Sequence, residues 1–223
     1  MRFLRDNGLA LFFGVIFLAS LGGQSLAGVK VHNEEEMAHD GHPISWLRYV
    51  TSSDFGQAVM ENWQSEYLQF AVFILATIWF VQRGSAESKP LEKAGPESDA
   101  DQKIGRHAGR RAPEWARLGD WRTSLYAHSL LIVMVLIFAG SWLAQSLTSW
   151  TVYNDEQRHH GDPTVTWAGY LARPDFWEKT LQNWQSEFLA VGTMVVFTIY
   201  LRERGSPESK PVGSPHDATG ESN

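Results

Sequence analysis

Hydrophobic residues gather in four blocks along the chain, 8–27, 67–81, 125–147 and 188–201, with polar stretches between them. The hydrocarbon core of a bilayer is about 30 Å thick and needs roughly 20 helical residues at about 1.5 Å each. Blocks one and three reach that length. Blocks two and four hold about 15 residues each, so a crossing there must draw in part of the polar motif before it. The pattern predicts four membrane helices in two hairpins. Ser53-Asp54 as a helix start, and Pro174-Asp175 in a first turn, predict return helices that begin before the membrane, the first over 54–81. Between the outward and return helices, Ile44, Trp46, Leu47, Tyr49 and Val50 are matched by Val165, Trp167, Tyr170 and Leu171. These predict a short amphipathic helix with its aromatic rings at headgroup level.

The two hairpins are copies of one another. Residues 3–90 align without a gap on 124–211, at a constant offset of about 121 and with about 31 identities. Gln24-Ser25-Leu26 returns as Gln145-Ser146-Leu147, and the run from Asn62 to Glu66 returns letter for letter from Asn183 to Glu187. Arg83-Gly84-Ser85 and Glu87-Ser88-Lys89-Pro90 also return, at 204–206 and 208–211. Ala19 and Gly23, matched by Gly140 and Ala144, leave a small-xxx-small pair in each outward helix, where another helix backbone is expected to approach.

Arg2, Arg5, an apolar stretch and then Ser25-Leu26-Ala27-Gly28 also fit a cleavable secretory signal. The copy in mid-chain keeps Gln-Ser-Leu at the same place, where no signal peptide can lie, so a retained span is expected. Lys and Arg stay on the cytoplasmic side of short loops. The N-terminus, 82–124 and the tail from Arg202 hold about 14 of the 19 basic residues. The expected topology is therefore four spans with both termini inside and both copies inserted in the same direction, related by an axis along the membrane normal. The expected division is a first repeat over 1–84, a disordered basic cytoplasmic linker over 85–119 with an interfacial end at Trp115, Leu118 and Trp121, a second repeat over 120–205, and a disordered tail over 206–223.

Composition adds little. Mean hydropathy is slightly below zero, but that average hides the four blocks. There is no cysteine, which excludes disulfides and thiol chemistry, and a formal charge of −6 with no basic stripe argues against a nucleic-acid partner. No phosphate loop, nucleophile elbow or zinc-peptidase helix occurs, so no catalytic residue and no cofactor is expected. Polar chemistry concentrates at one depth. Helical rise puts Gln24, Ser25, Asn62, Ser65 and Glu66 about 24 Å from the inner boundary, and Gln145, Ser146, Asn183, Ser186 and Glu187 form the same layer in the second copy. A carboxylate near hydrocarbon faces protein or water and has partners. Two readings stay open: Glu66 and Glu187 accept hydrogen bonds that lock the helices in register, or they meet near the axis and share a proton or a cation. His32, His39 and His42 with Glu34, Glu35, Glu36 and Asp40, and His159 and His160 with Asp155, Glu156 and Asp162, crowd the outer loops. Only His39 and His160 align, so solvated loops are expected there and not a metal site. His128, aligned with Asn7, is expected at an interface.

Gly23 to Leu26, Asn62 to Leu68 and Gly84 to Lys89, with Ala144 to Leu147, Asn183 to Leu189 and Gly205 to Lys210, resemble the duplicated segments of an uncharacterised family of small bacterial membrane proteins. Tyr67 and Ala144 depart mildly from its pattern. The resemblance implies a bacterial plasma membrane and no known activity. Taken together, the expectation is an all-α integral membrane four-helix bundle of two tandem hairpins in the bacterial inner membrane. Its expected role is non-enzymatic, with a polar layer that organises the bundle and is available to a partner: the lipid bilayer, a second copy or another membrane protein. The alternatives are a small proton- or cation-coupled carrier using Glu66 and Glu187, and, third, a membrane enzyme with a site in the outer loops.

Overall fold

A computed structural model of the chain describes residues 2–39 and 41–220. Met1, the last three residues of the tail and Asp40, an acidic neighbour of the outer-loop histidines, lie outside the described residues. Among those described the fold is all-helical, with nine α-helices and no strand. A short α1 (Arg2–Asp6) leads into α2 (Gly8–Ala38), then α3 (Trp46–Val50) and α4 (Ser53–Trp79). The second half repeats the order after α5 (Glu114–Leu118): α6 (Trp121–Ala127), α7 (Ser129–His160), α8 (Trp167–Leu171) and α9 (Pro174–Tyr200). The breaks before the long helices fall at Asn7 and His128, the two residues that align.

α2 and α7 are long and apolar enough to cross a membrane. A core helix of a soluble protein can be as long and as apolar, but such a helix hides its apolar side chains. Here 6% of the apolar window of α2 and 17% of that of α7 are buried. Leu9, Phe12, Phe13, Val15, Ile16 and Leu18 all stand exposed on α2. α4 and α9 fall short of the same length of apolar residues, because their first halves carry the Asn-Trp-Gln-Ser-Glu run.

α2 and α7 both run well past the apolar blocks. At 31 residues α2 is about 46 Å long. Beyond Ala27 the helix formers Glu34, Glu35, Glu36 and Ala38 sustain it without an apolar signal. It stops where Gly41 closes onto the Glu36 carbonyl, at 2.7 Å, just before Pro43. α7 stops at Gly161, whose φ of +74° suits glycine and returns its N–H to the Arg158 carbonyl. α4 and α9 begin close to the expected points. α9 carries Pro174 in its first turn. In α4 the Ser52 hydroxyl, one residue before the expected start, accepts from the Phe55 N–H at 3.3 Å. The aromatic loop segments form the short helices α3 and α8, started by Ser45 and Thr166, which accept from the N–H of Arg48 and Gly169.

The chain divides into two compact units. One comprises Met1–Met60 with Ala144–Ala172, the other Glu61–Leu143 with Arg173–Asn223. The connection after α4 has a defined course in the second unit. It contains two 3₁₀ turns, Leu91–Lys93 and Gly105–His107, before α5. Gly119, at φ +71°, turns the chain into α6, and the Thr123 hydroxyl ties the two helices by donating to the Trp115 carbonyl at 2.6 Å.

Candidate functional site

In the first unit the loops after α2 and α7 each fold back along the preceding helix and have no strand to pair with, so side chains take over their backbone groups. The Asn33 amide donates to the Ile44 carbonyl at 3.0 Å, and its oxygen accepts from the Ile44 N–H at 2.7 Å. One asparagine thereby replaces both bonds of a strand partner. Ser25 accepts from the Trp46 indole N–H at 3.0 Å, fixing the first turn of α3 to α2. The second copy makes the same bonds. Asn154 holds the Val165 carbonyl and N–H, both at 2.9 Å, and Ser146 accepts from Trp167 at 3.2 Å. It adds one more, from the Trp150 indole to the Val165 carbonyl at 2.8 Å.

Tyr49 and Tyr170 complete each staple as buried rings. Tyr49 lies against His32 and Phe55, with ring centroids 5.6 Å away in each case, and Tyr170 against Tyr153 at 5.4 Å. A Cβ on Gly28 would come within 2.9 Å of the Tyr49 ring, so the ring needs glycine there. Burial raises the Tyr49 phenol above its ordinary value, and the nearby carboxylates of Asp54 and Glu35 add to this. His32 lies 4.0 Å from Asp54, and His39 bonds the Glu35 carbonyl of its own helix. Among the described residues no three His, Asp or Glu side chains converge to hold a metal.

The expected polar layer is shared between the units. Gln24, Ser25, Gln145 and Ser146 belong to the first, and Asn62, Ser65, Glu66, Asn183, Ser186 and Glu187 to the second. The copies are not equivalent. Gln24 is exposed, whereas Gln145 is fully buried and neither atom of its amide has a hydrogen-bond partner. In the second unit Gln64 and Ser65 of α4 are buried against α9. Gln64 accepts from the Trp184 indole at 2.7 Å, and Ser65 reaches Glu187 at 3.5 Å while bonding the Asn62 carbonyl at 2.9 Å. Glu187 is half-buried and within coulombic range of Glu66. Glu66 itself is exposed, as are Asn62 and Ser186. Asn183 bonds the Lys179 carbonyl one turn back, and Ser186 that of Asn183.

The repeated Gly-Ser-x-Glu-Ser-Lys segments fold alike after α4 and α9. Gly84 and Gly205 turn at φ +85° and +84°. Ser85 and Ser206 accept from the N–H of Glu87 and Glu208, at 3.1 and 3.2 Å. Ser88 and Ser209 accept from the N–H of Gln82 and Glu203, at 2.8 and 2.9 Å. Lys89 then bridges to the Gly95 carbonyl and Glu97, while Lys210, fully buried, donates to the carbonyls of Pro215, His216 and Ala218. The first loop docks on the end of α9, where Ser85 meets the Thr198 hydroxyl at 3.1 Å. Between α4 and α9 lies a cavity of about 190 Å³, lined by Gln69, Phe70, Phe73, Ala190, Val191 and Met194 and, at one end, by Glu87 and Glu208. Burial, then the charge of Glu208 and the proximity of its carboxylate, which favours the protonated acid, hold the Glu87 carboxyl above the usual range.

Asn33, Trp46, Tyr49, Gln64 and Glu87 were outside the expected layer as chemical groups, although each is identical in both copies. That identity was the available signal.

A family model described as "Domain of unknown function (DUF6766)" matches residues 1–221. The chain belongs to the DUF6766 family. No curated protein and no solved structure matches it. The staples, the polar run and the Gly-Ser-x-Glu-Ser-Lys loops all fall inside the matched residues.

Proposed function

We propose that this DUF6766 protein is a non-enzymatic protein of the bacterial inner membrane that works by assembling, through its polar layer, with a second copy of itself. In this reading the chain crosses the bilayer four times as two parallel hairpins with both termini cytoplasmic. The observation that carries it is Glu66, exposed on α4 one turn from the exposed Asn62. A carboxylate in a spanning helix needs a partner or water, and a single chain leaves this one uncovered. A second copy supplies amide and hydroxyl donors of the same kind.

The test is single-molecule photobleaching of the labelled protein in nanodiscs. Multiple bleaching steps in wild type, falling to one in Glu66→Gln, support assembly through this residue. A single step in wild type removes the reading. The half-buried Glu187, with Ser65 beside it and the charge of Glu66 near it, favours a second reading, a proton- or cation-coupled carrier. Glu66→Gln with Glu187→Gln separates the two. Loss of a proton-dependent flux with normal assembly favours the carrier, and unchanged flux with lost assembly favours the first reading.

A further inference from the structure

The cavity between α4 and α9 lies within the second unit and takes its wall from both copies of the repeat. Gln69, Phe70 and Phe73 of α4 line it together with their aligned counterparts on α9, Ala190, Val191 and Met194. In each trio the third residue stands three and four positions after the other two, so all share one helix face. A fourth aligned pair, Glu87 and Glu208, lines one end. Away from the glutamates the wall is apolar except for the Gln69 amide. Phe70 and Met194 are 47% and 44% exposed, so the cavity opens sideways between the two helices.

This wall selects the kind of occupant. An apolar cavity of about 150 Å³ holds a benzene ring. At about 190 Å³ this one has room for a ring-sized body with a small group attached. The two carboxylates favour positive charge at their end, because covering a carboxylate costs free energy unless the covering group is its partner. The protein's own cations are engaged elsewhere. Lys89 is held by Glu97 and the Gly95 carbonyl, Lys210 by three tail carbonyls, and Arg202 by carbonyls of α9 and Ser214. The N–H groups of Gln82, Glu87, Glu203 and Glu208 are taken up by the loop serines. An anionic group would therefore meet like charge, and donors already in use. Phe70 and Phe73 add aromatic surface, which attracts an ammonium electrostatically.

We propose that the α4–α9 cavity binds a small hydrophobic ammonium compound, its apolar body between the two helices and its charged nitrogen at Glu87 and Glu208. Entry is from the open side at Phe70 and Met194, where a partly apolar cation arrives without passing the loops. Each copy supplies half of the wall and one of the two carboxylates, so the site exists only because the hairpin is present twice. It lies apart from Asn62 and Glu66, and the inference stands whether or not the protein assembles through Glu66.

The probe is benzyltrimethylammonium, a phenyl ring joined to a permanently charged nitrogen. Its comparator is neopentylbenzene, in which a carbon atom replaces that nitrogen. Met194 supplies the readout through methyl NMR of isotope-labelled methionine in the full chain in nanodiscs, with Met194→Leu assigning its signal. The cation should shift the Met194 methyl signal saturably and leave those of Met37 and Met134 in place. Removing one of two charges that act on a bound cation in a partly buried site weakens binding by about tenfold. Glu87→Gln and Glu208→Gln should each show that loss and bind the neutral compound as wild type does. Glu208 is exposed, so its variant gives the result if Glu87→Gln fails to accumulate. A Met194 signal unmoved by the cation, a neutral compound that binds as tightly as the cation, or glutamine variants that hold the cation as wild type does would each overturn the proposal.

Discussion

Asn33 and Asn154 show how much can hang on one side chain. Each supplies both hydrogen bonds that a returning loop would take from a strand. Replacing Asn33 by alanine strands both groups of Ile44 and should cost about 1–3 kcal/mol. Asn154→Ala should cost less, because the Trp150 indole still serves the Val165 carbonyl. Thermal unfolding of the two variants in detergent, followed by tryptophan emission, checks the order; equal losses would mean that the Trp150 bond contributes nothing. Tyr49 gives a pH signature. Its phenol is raised above 10.0, so the folded state favours the neutral ring, and stability present below that pH is lost as the pH climbs through the raised value. Tyr49→Phe should remove this alkaline loss, which pH-dependent melting curves would detect. Gly28→Ala pushes a methyl group into the same ring and should destabilise the fold by about 1–3 kcal/mol.

At the scale of elements, the sequence revealed much of the helix order and little of the helix ends. Pro174 marked the start of α9, and the Trp167–Tyr170 segment marked α8, because proline geometry and aromatic clustering are local. The extra turns of α2 beyond Ala27 were hidden, since Glu34–Glu36 favour a helix without leaving an apolar stripe. The differing exposure of Glu66 and Glu187 was hidden for another reason. Identical pentapeptides predict identical environments, and only packing of α4 on α9 makes one Ser65 buried and its counterpart Ser186 exposed. That Glu87 and Glu208 line one cavity was illegible for the same cause, because they come from loops far apart in the chain. If α2 is retained as a span, intact-mass measurement of the purified protein should return the chain with its first 27 residues; a species starting near Gly28 would instead identify a cleaved leader.

At the scale of the whole molecule, the proposed topology puts the segment between the hairpins inside the cell. Reporter fusions after residue 100 should therefore read as cytoplasmic and fusions within 155–165 as external, and the reverse pattern would discard the arrangement. What joins the two copies most plainly is that each makes the same closures with the same residues: asparagine on backbone, serine on indole, serine on loop N–H.

The interior position of Lys210 has a practical outcome. An ammonium group wrapped in Pro215, His216 and Ala218 carbonyls is out of reach of bulky reagents. A water-soluble acylating ester should modify Lys93 and Lys103 while sparing Lys210, until whatever peels the last residues away exposes it. The protein thus has an internal gauge of its own unfastening, readable by peptide mass mapping with no label added.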